Sequence, residues 1–290
     1  MEKKPLVVVN GLVRKDAIAY LKEHVDVRQW TEKTVMPREV LKEWLIDADG
    51  LWCVRPLDVD GDLVKNAPNL KVIAQAAVGY DNVNIDELTA AGIPYGNTPG
   101  VLNETVAELA FTLIATASRR IIENANFVKD GRWAQRPSNI KGFDLSRRTL
   151  GIIGMGAIGV SISRRARAFG MTVVYHNRNQ RLDDKIHKTT YMELDDLLAI
   201  SDVVCVMAPL TDETYHMCDE AFFKKMKNTA LFVNVGRGPI VDTDALINAL
   251  KTGEIDYAAL DVTDPEPLPA DHPLLDVENC LIVPHIGSYT

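Results

Sequence analysis

Short apolar runs alternate with helical patterns along the N-terminal third of the chain. The runs are continuous stretches of Val, Ile and Leu, whereas a half-exposed strand would alternate apolar and polar residues. Continuous runs of this kind predict strands of a parallel sheet that is covered on both faces. They read "PLVVVNG", "VDVRQW", "GLWCVR" and "LKVIAQAA", and helical patterns such as "KDAIAYLKEH" separate them.

A long, uninterrupted helical pattern follows at residues 103–130. Asn103 is a favoured N-cap residue, and Gly131 is of the type that commonly follows a helix end. The pattern predicts one helix that is long enough to connect two domains. The next segment, 132–148, is polar and contains Pro and Gly, so it is predicted to be a loop.

A second series of apolar runs begins at Thr149 and continues to the end of the chain. Strands at regular spacing with helices between them are typical of doubly wound folds. The sequence therefore predicts two α/β domains with parallel sheets, residues 1–98 and 99–285, the second of which includes the helix at 103–130. The runs of the second series are "TLGIIG", "TVVYH", "SDVVCVMAP", "TALFVNV", "DYAALDV" and "CLIVPHIG".

Composition narrows the function classes. The net charge of -8 argues against a nucleic-acid partner, because phosphate backbones are bound by clustered Lys and Arg. No apolar run approaches the roughly 20 residues of a membrane helix, so no membrane association is expected. Four cysteines form no close pair and no metal-like cluster, which favours reduced, buried thiols, a cytoplasmic setting and no metal site. They are Cys53, Cys205, Cys218 and Cys280.

A glycine motif, Gly154-x-Gly156-x-x-Gly159, stands directly after one predicted strand and directly before a helical pattern. Its glycines permit a tight turn, close approach of the backbone to a pyrophosphate, and close packing of helix on strand. The positive helix N-terminus, with Ala157 and Ile158, then faces the phosphates. The motif alone is weak evidence for a nucleotide site, but together with the strand before it and the helix and strand after it, it predicts a dinucleotide site.

The end of the next strand carries "YHNRNQ" instead of the acidic residue that binds the adenosine ribose in NAD-binding members of this fold. Asn177 and Arg178 take that place, and Arg181 follows. Loss of a negative charge and gain of a guanidinium suit a ribose 2′-phosphate, so NADPH is expected as the preferred cofactor, with NADH still possible. The alternative is that the arginines are solvated loop charges without a ligand.

Three later strands end in polar residues that their apolar runs do not explain: Arg237, Glu266 and His285. Ligands of open parallel sheets bind outside the carboxyl ends of the strands, so these residues can meet there. Reduction of a ketone needs such a trio. The guanidinium binds the substrate, the imidazole donates a proton, and the carboxylate keeps the imidazole charged. Each residue alone could instead be a surface cation, a solvated loop acid or a strand-end cap.

The whole chain resembles the D-2-hydroxyacid dehydrogenases, and most of all their glyoxylate/hydroxypyruvate (2-ketoaldonate) reductase branch. The resemblance implies a flavodoxin-like substrate domain and a Rossmann NAD(P)-binding domain, and reduction of a small 2-keto acid to the D-2-hydroxy acid. It implies that Arg237 binds and polarises the substrate, that His285 is the acid/base, and that Glu266 pairs with His285. It rests on "VGYDNVNID", "GNTPGVLNETVAELAF", "TLGIIGMGAIG", "MKNTALFVNVGRGPIVD", "LDVTDPEPLPADHPLL" and "PHIGS".

The same resemblance assigns further residues. The backbone amides of Val78 and Gly79 would hold the substrate carboxylate, and Ser288 would face the substrate. The nicotinamide end of the cofactor would be lined by Thr105, Pro209 and Asp261.

The resemblance also implies a homodimer. Members of the family pair through the region of the long helix, where a second apolar set is present: Ala107, Phe111 and Ala115.

Two features depart from the family pattern. Ala157 stands where the family often has Arg, which removes a possible side-chain contact to the pyrophosphate. Members usually continue beyond the position of Thr290 with a helix that returns to the first domain and completes it.

Alternative functions from the sequence are an NADH-using dehydrogenase of the D-lactate type and a dinucleotide-sensing corepressor. The corepressor would carry an acidic residue near Asn177, which is absent. Glu266 argues against a formate dehydrogenase, which has Gln at that position. The choice among 2-keto acids is assigned to the loop 54–61, whose specificity the sequence alone does not decode.

Overall fold

The computed structural model describes residues 4–54 and 57–290 of the chain. Two compact units account for these residues, Met1–Val101 and Leu102–Thr290. Each unit contains one parallel sheet with helices packed on it, as the continuous apolar runs predict.

The first unit has five strands in the order β2-β1-β3-β4-β5, all parallel, which is the flavodoxin-like order. Its core lies between the sheet and α2, α3 and α4, and includes Val8, Leu41, Leu51, Ile73 and Leu88. The elements are β1 Leu6–Val9, α1 Lys15–His24, β2 Asp26–Gln29, α2 Arg38–Leu45, β3 Gly50–Cys53, α3 Gly61–Lys65, β4 Val72–Gln75, α4 Ile85–Ala90 and β5 Tyr95–Gly96.

Strand β4 departs from the expectation of strands buried on both faces. Ile73 and Gln75 are buried, whereas Val72 and Ala74 on the opposite face are exposed, Val72 by 44%. The continuous run "KVIAQAA" therefore forms a strand that is covered on one face by the described residues.

The second unit has a seven-stranded parallel sheet in the order β12-β11-β10-β9-β6-β7-β8. Counting from β6, this is the Rossmann order extended by one strand, so the predicted fold of both units is confirmed. The strands are β6 Thr149–Ile153, β7 Thr172–His176, β8 Thr190–Tyr191, β9 Val203–Val206, β10 Leu231–Asn234, β11 Tyr257–Leu260 and β12 Cys280–Ile282. The helices are α5 Asn103–Ser118, α6 Ile121–Lys129, α7 Ala157–Ala168, α8 Asp184–His187, α9 Leu194–Ile200, α10 Glu220–Lys225 and α11 Thr243–Thr252, and 3-10 turns span Arg132–Ala134, Gly238–Ile240 and Pro273–Asp276.

Two apolar layers cover this sheet. Ile153, Val206 and Phe232 belong to the layer under α9, α10 and α11. Their neighbours along the strands, such as Ile152 and Cys205, point to the layer that contains residues of α5 and α7. Side chains that alternate between two buried faces explain why these strands read as unbroken apolar runs.

The single helix predicted at 103–130 is wrong: α5 ends at Ser118 and α6 begins at Ile121. Arg120 between them has a φ of 49° and so breaks the helix. The carbonyl of Ser118 accepts a hydrogen bond from Phe143 N at 2.7 Å instead of continuing the helical ladder. Gly142 makes this approach possible, because a Cβ there would lie 2.1 Å from that carbonyl oxygen.

The helix ends also differ in part from the prediction. Asn103 is the first residue of α5 rather than its N-cap, and Leu102 caps the helix without a side-chain hydrogen bond. Gly131 follows the end of α6 with a φ of 71°, as predicted. Within the described part of the chain, no helix has the length and apolar character needed to span a bilayer.

Gly151 on β6 lies directly against the C-terminal end of α9. A Cβ there would lie 2.3 Å from Ser201 Oγ and 2.6 Å from Leu197 Cδ2. We expect Gly151→Ala to lower the free energy of unfolding by about 1–3 kcal/mol, because a packed core cannot absorb the extra methyl group. Denaturant unfolding measures the change, and Gly96→Ala, where nothing lies within 4 Å of the added methyl, is the control. Equal stability of the two variants would contradict the prediction.

Candidate active site

The loop between β6 and α7 is shaped by its glycines. Gly154 has a φ of 99°, and a Cβ there would lie 2.6 Å from Ala208 N and from Met207 C at the end of β9. Gly159 packs α7 against the loop, because its Cβ would lie 2.9 Å from Gly154 O. Both positions therefore require glycine for reasons of backbone packing.

Gly156 has a different environment, since nothing lies within 4 Å of the position of its missing Cβ. The backbone amides of Ala157, Ile158 and Gly159 begin α7 and make no hydrogen bond to the described residues. Free amides at a helix N-terminus bind anionic groups, and a side chain at Gly156 would fill the approach to them. The loop thus fits the pyrophosphate of a dinucleotide.

Asn177, at the end of β7, closes this loop from the other side. Its Oδ1 accepts a hydrogen bond from Met155 N at 2.6 Å, and its Nδ2 donates to Met155 O at 3.4 Å. A carboxylate could accept the first bond but could not donate the second. The amide side chain therefore holds the backbone of the glycine loop, a role that the sequence reasoning did not assign to it.

The two arginines after β7 differ in their partners. Arg181 binds Asp183 through Nε and Nη2 at 2.8 and 2.7 Å, and its Nη1 donates to Met155 O at 2.9 Å. The hydrogen bond from Arg181 lowers the pKa of Asp183 to about 2. Arg178 is exposed, and its charge acts on Glu213, whose pKa is lowered by a hydrogen bond with Thr211 and also by Arg178.

The segment after β7 is held by Tyr175, whose side chain is completely buried. The Tyr175 hydroxyl accepts a hydrogen bond from Arg181 N at 2.8 Å and donates to Asp184. Arg181 is therefore held in place next to the glycine loop.

Glu266 and His285 meet at the carboxyl ends of β11 and β12. Glu266 Oε1 lies 2.5 Å from His285 Nδ1, and the side chains are 40% and 46% exposed. The hydrogen bond to Glu266 raises the pKa of His285. Burial opposes ionisation of Glu266, but the hydrogen bond and charge of His285 outweigh it and lower the pKa of this carboxyl group. The pair can therefore hold an imidazolium beside a carboxylate near neutral pH.

His285 has a φ of 51°, and Asp261 holds the turn that contains it. Asp261 O accepts from His285 N at 2.8 Å, and the carboxylate accepts from Ile286 N at 2.7 Å and from Gly287 N at 3.0 Å. Asp261 is 2% exposed, and burial raises its pKa despite these bonds. In this structure its contacts are with the histidine turn, a role that the sequence reasoning did not foresee.

Arg237 follows β10 in a loop that packs against the loop of Glu266. A Cβ at Gly238 would lie 1.8 Å from Thr263 O, so only glycine allows this approach. Asn234 bridges the base of the loop, donating to Arg237 O at 2.9 Å and accepting from Gly236 N at 3.0 Å. The positive charge of Arg237 acts on both Glu266 and His285 and favours ionisation of the carboxyl group. The structure thus brings the three predicted residues into one charged cluster.

The structure also places the other predicted residues of this unit. Thr105 is half-buried in the first turn of α5, and its neighbour Val106 packs against Gly287, with Cγ2 3.6 Å from the position of the missing Cβ. Pro209 follows β9 and accepts a hydrogen bond from Thr214 Oγ1 at 2.7 Å. Ser288 is exposed just beyond the histidine turn.

Val78 and Gly79 lie in the first unit, in the turn after β4. The carbonyl of Ala77 accepts from Thr98 N at 3.1 Å, and that of Val78 accepts from Asn97 Nδ2 at 2.8 Å. Both carbonyls face residues 97–98, so in trans peptides the amides of Val78 and Gly79 face away from them. Neither amide has a hydrogen-bond partner in the described part of the chain.

Gln75 completes the turn by donating to Gly79 O at 2.7 Å. The loop 54–61, which we expect to select the substrate, includes Arg55 and Pro56, and these two lie outside the described residues. No group of three or more metal-ligating side chains occurs within residues 4–54 and 57–290.

Comparison with known proteins gives one consistent result. Residues 111–287 match the family model "D-isomer specific 2-hydroxyacid dehydrogenase, NAD binding domain". A glyoxylate reductase of Korarchaeum cryptofilum is 42% identical over 288 residues, which cover 98% of this chain and 87% of the relative. The crystal structure of a glyoxylate reductase from Paecilomyes thermophila superimposes with a TM-score of 0.90 at 32% identity, covering 100% of this chain and 90% of the other.

A second solved structure is the NADPH-dependent glyoxylate/hydroxypyruvate reductase of Sinorhizobium meliloti in complex with NADP and malonate. Its TM-score is 0.89 at 29% identity, and the match covers 99% of this chain and 88% of the other.

The raised pKa of His285 depends on the negative charge of Glu266. We expect Glu266→Gln to lower the pKa of His285, because an amide accepts a hydrogen bond but does not stabilise the imidazolium by charge. Titration of the histidine ring signals by NMR measures this pKa. The ring signals of His24, which is exposed on α1, are the internal control. An unchanged His285 titration would show that the ion pair does not control it.

Proposed function

Because the chain belongs to the D-isomer specific 2-hydroxyacid dehydrogenase family, we propose that it reduces glyoxylate, hydroxypyruvate or a related 2-keto acid to the D-2-hydroxy acid with NADPH. Membership of the family makes it an NAD(P)-dependent oxidoreductase. The observation that carries the proposal is the Glu266–His285 pair next to Arg237, on the sheet that also bears the glycine loop. The names of the relatives, glyoxylate reductases, support the substrate class.

His285 is the proposed proton donor. Its Nδ1 is bonded to Glu266, so the opposite ring nitrogen, Nε2, gives its proton to the carbonyl oxygen of the substrate. Glu266 keeps the ring charged and fixes its orientation. Bound NADPH would supply the hydride that reaches the carbonyl carbon.

Arg237 is the proposed anchor of the substrate. Its guanidinium can bind a carboxylate and at the same time stabilise the negative charge that develops on the carbonyl oxygen. Val78 and Gly79 are proposed to hold the substrate carboxylate with their backbone amides, in agreement with the outward orientation of both groups. In this proposal residues 1–98 serve the substrate and residues 99–285 the cofactor.

The nicotinamide end of the cofactor is assigned to Thr105, Pro209 and Asp261, and Ser288 to the substrate side. Thr105 and Asp261 lie on elements that pack on the histidine turn, which supports their place near the reacting atoms. The carboxylate of Asp261 serves in addition as the support of that turn.

NADPH is the proposed coenzyme because of the residues that follow β7, 177–181. Asn177 supplies no negative charge, and the exposed Arg178 directly follows it. A 2′-phosphate placed there would meet a guanidinium rather than a carboxylate. The relative from Sinorhizobium meliloti is NADPH-dependent, which agrees with this assignment.

A homodimer and a cytoplasmic setting also belong to the proposal. The sequence argument for a dimer relied on Ala107, Phe111 and Ala115. Ala107 and Phe111 are 0% and 7% exposed within their own chain, and Ala115 is half-buried against the same core, so these residues do not form an exposed surface. Apolar side chains are exposed instead along the next segment of the chain, and they supply a candidate dimer surface. They are Ile121, Ile122, Val128 and Trp133.

The catalytic proposal is tested by replacing His285. We expect the wild-type enzyme to oxidise NADPH in the presence of glyoxylate or hydroxypyruvate, and His285→Ala to lower kcat about 10²–10⁴-fold, since the proton donor is lost. Steady-state rates from coenzyme absorbance measure this, and the exposed His24→Ala is the control. NADPH affinity should survive, as no nucleotide contact is removed. A folded His285→Ala enzyme with near wild-type rates would overturn the mechanism.

The coenzyme proposal is tested by two arginine variants. Arg178→Ala should reduce the preference for NADPH over NADH about ten- to a hundredfold, the worth of one charge-assisted hydrogen bond. Arg181→Ala should weaken the binding of NADPH and NADH equally, because Arg181 supports the glycine loop through Met155 O. The ratio of kcat/KM values for the two coenzymes distinguishes them. If only Arg181→Ala changed the ratio, the assignment to Arg178 would be wrong.

The dimer is tested by the mass in solution. Light scattering at micromolar concentration should give the mass of two chains of 32.1 kDa. Ile121→Asp combined with Val128→Asp, two exposed positions on the same face of α6, should give a single chain, because charges disfavour burial of that surface. A wild-type protein with the mass of one chain would contradict the proposal.

A further inference from the structure

The side chain of Asp183 is bound to Arg181, the arginine that contacts the glycine loop through Met155 O. Arg181 has three nitrogens, and all of them are engaged: Nε and Nη2 bind the two oxygens of Asp183 at 2.8 and 2.7 Å, and Nη1 binds Met155 O at 2.9 Å. A phosphate is bound most strongly by the same two-point fork that Asp183 now fills. Arg181 therefore cannot present that edge to a ligand while the ion pair with Asp183 is intact.

The ion pair of Arg181 and Asp183 is partly buried and is held by further hydrogen bonds on both sides. The side chains of Arg181 and Asp183 are 27% and 35% exposed. The backbone of Arg181 is fixed by the buried Tyr175 hydroxyl at 2.8 Å, and Asp183 is held on its other side by His187 Nε2 at 3.0 Å. Fixed backbone and two-sided support reduce the conformational entropy that usually offsets a surface ion pair.

We propose that Asp183 is a specificity-determining residue that sets the coenzyme ratio by withholding Arg181 from the 2′-phosphate of NADPH. Arg178 is then the one arginine of this segment that binds the phosphate. The inference rests on the proposed coenzyme site at the end of β7. It predicts that the chain binds NADPH less strongly than a two-arginine site would, and so keeps the capacity to use NADH.

The test uses the full chain and two probes that differ only by the 2′-phosphate, 2′,5′-ADP and 5′-AMP, with affinities measured by calorimetry. Asp183→Asn preserves shape but removes the charge and the two-point acceptor. We expect it to increase the affinity for 2′,5′-ADP relative to 5′-AMP about tenfold or more, as a charge-assisted fork becomes available. Asp183→Ser makes the same test with a smaller side chain, in case the amide does not fold. The same change should appear in NADPH against NADH binding followed by coenzyme fluorescence.

The control is His187→Ala, which removes the other partner of Asp183 and leaves the pair with Arg181 in place. It should not change the ratio. The mechanism is tested by repeating Asp183→Asn in the Arg181→Ala background, where the gain should vanish, because residues that act through one another are not additive.

Three results would overturn the inference: an unchanged or lower ratio in Asp183→Asn, the same shift in His187→Ala, or an equal gain in the Arg181→Ala background, which would indicate simple charge repulsion. Failure of the proposed function has a different signature. If Arg178→Ala left the ratio unaltered while Asp183→Asn raised it, the role of Arg178 would be lost and the role of Asp183 would stand.

Discussion

The buried carboxylate of Asp261 is the interaction on which the candidate site depends. It lies at the end of β11 and accepts two backbone amides from the turn after β12, while its own carbonyl accepts the amide of His285. Hydrogen bonding compensates the cost of burying this polar group, and the turn is thereby fixed in an otherwise unfavourable backbone conformation. Without it, the imidazole would not be held opposite Glu266. The chemistry is thus a consequence of how two neighbouring parallel strands end.

Charge gives this arrangement a defined pH window. The pKa of Glu266 is lowered and that of His285 is raised, so both groups are ionised in between. The stabilisation from His285 is complete below its unfolded pKa and is lost as the pH rises through the raised folded pKa. The contribution of Glu266 is present above its unfolded pKa and is lost as the pH falls through the lowered one. Within this pH window His285 is protonated, which is the form that a proton donor for the reduction needs.

The sequence predicted two parallel sheets, because strands buried on both faces must be continuously apolar, and the order of their strands agrees with the folds that the family resemblance implies. It did not predict the break at Arg120, since no Pro or Gly lies at that point of the helical pattern and the segment that packs there, at Gly142 and Phe143, is distant in sequence. The sequence also did not predict that Arg181 pairs with Asp183. Two arginines within four residues look alike in a sequence, and only the folded loop decides which one has a partner.

The pH dependence of kcat/KM for 2-keto acid reduction by the unmodified enzyme tests the central claim most directly. A proton donor held by Glu266 predicts a rate that stays high while the pair is ionised and falls as the pH rises through the raised pKa of His285. The midpoint should lie above the ordinary histidine value of about 6.5. A profile that is flat across this range, or one that rises with pH, would contradict the account.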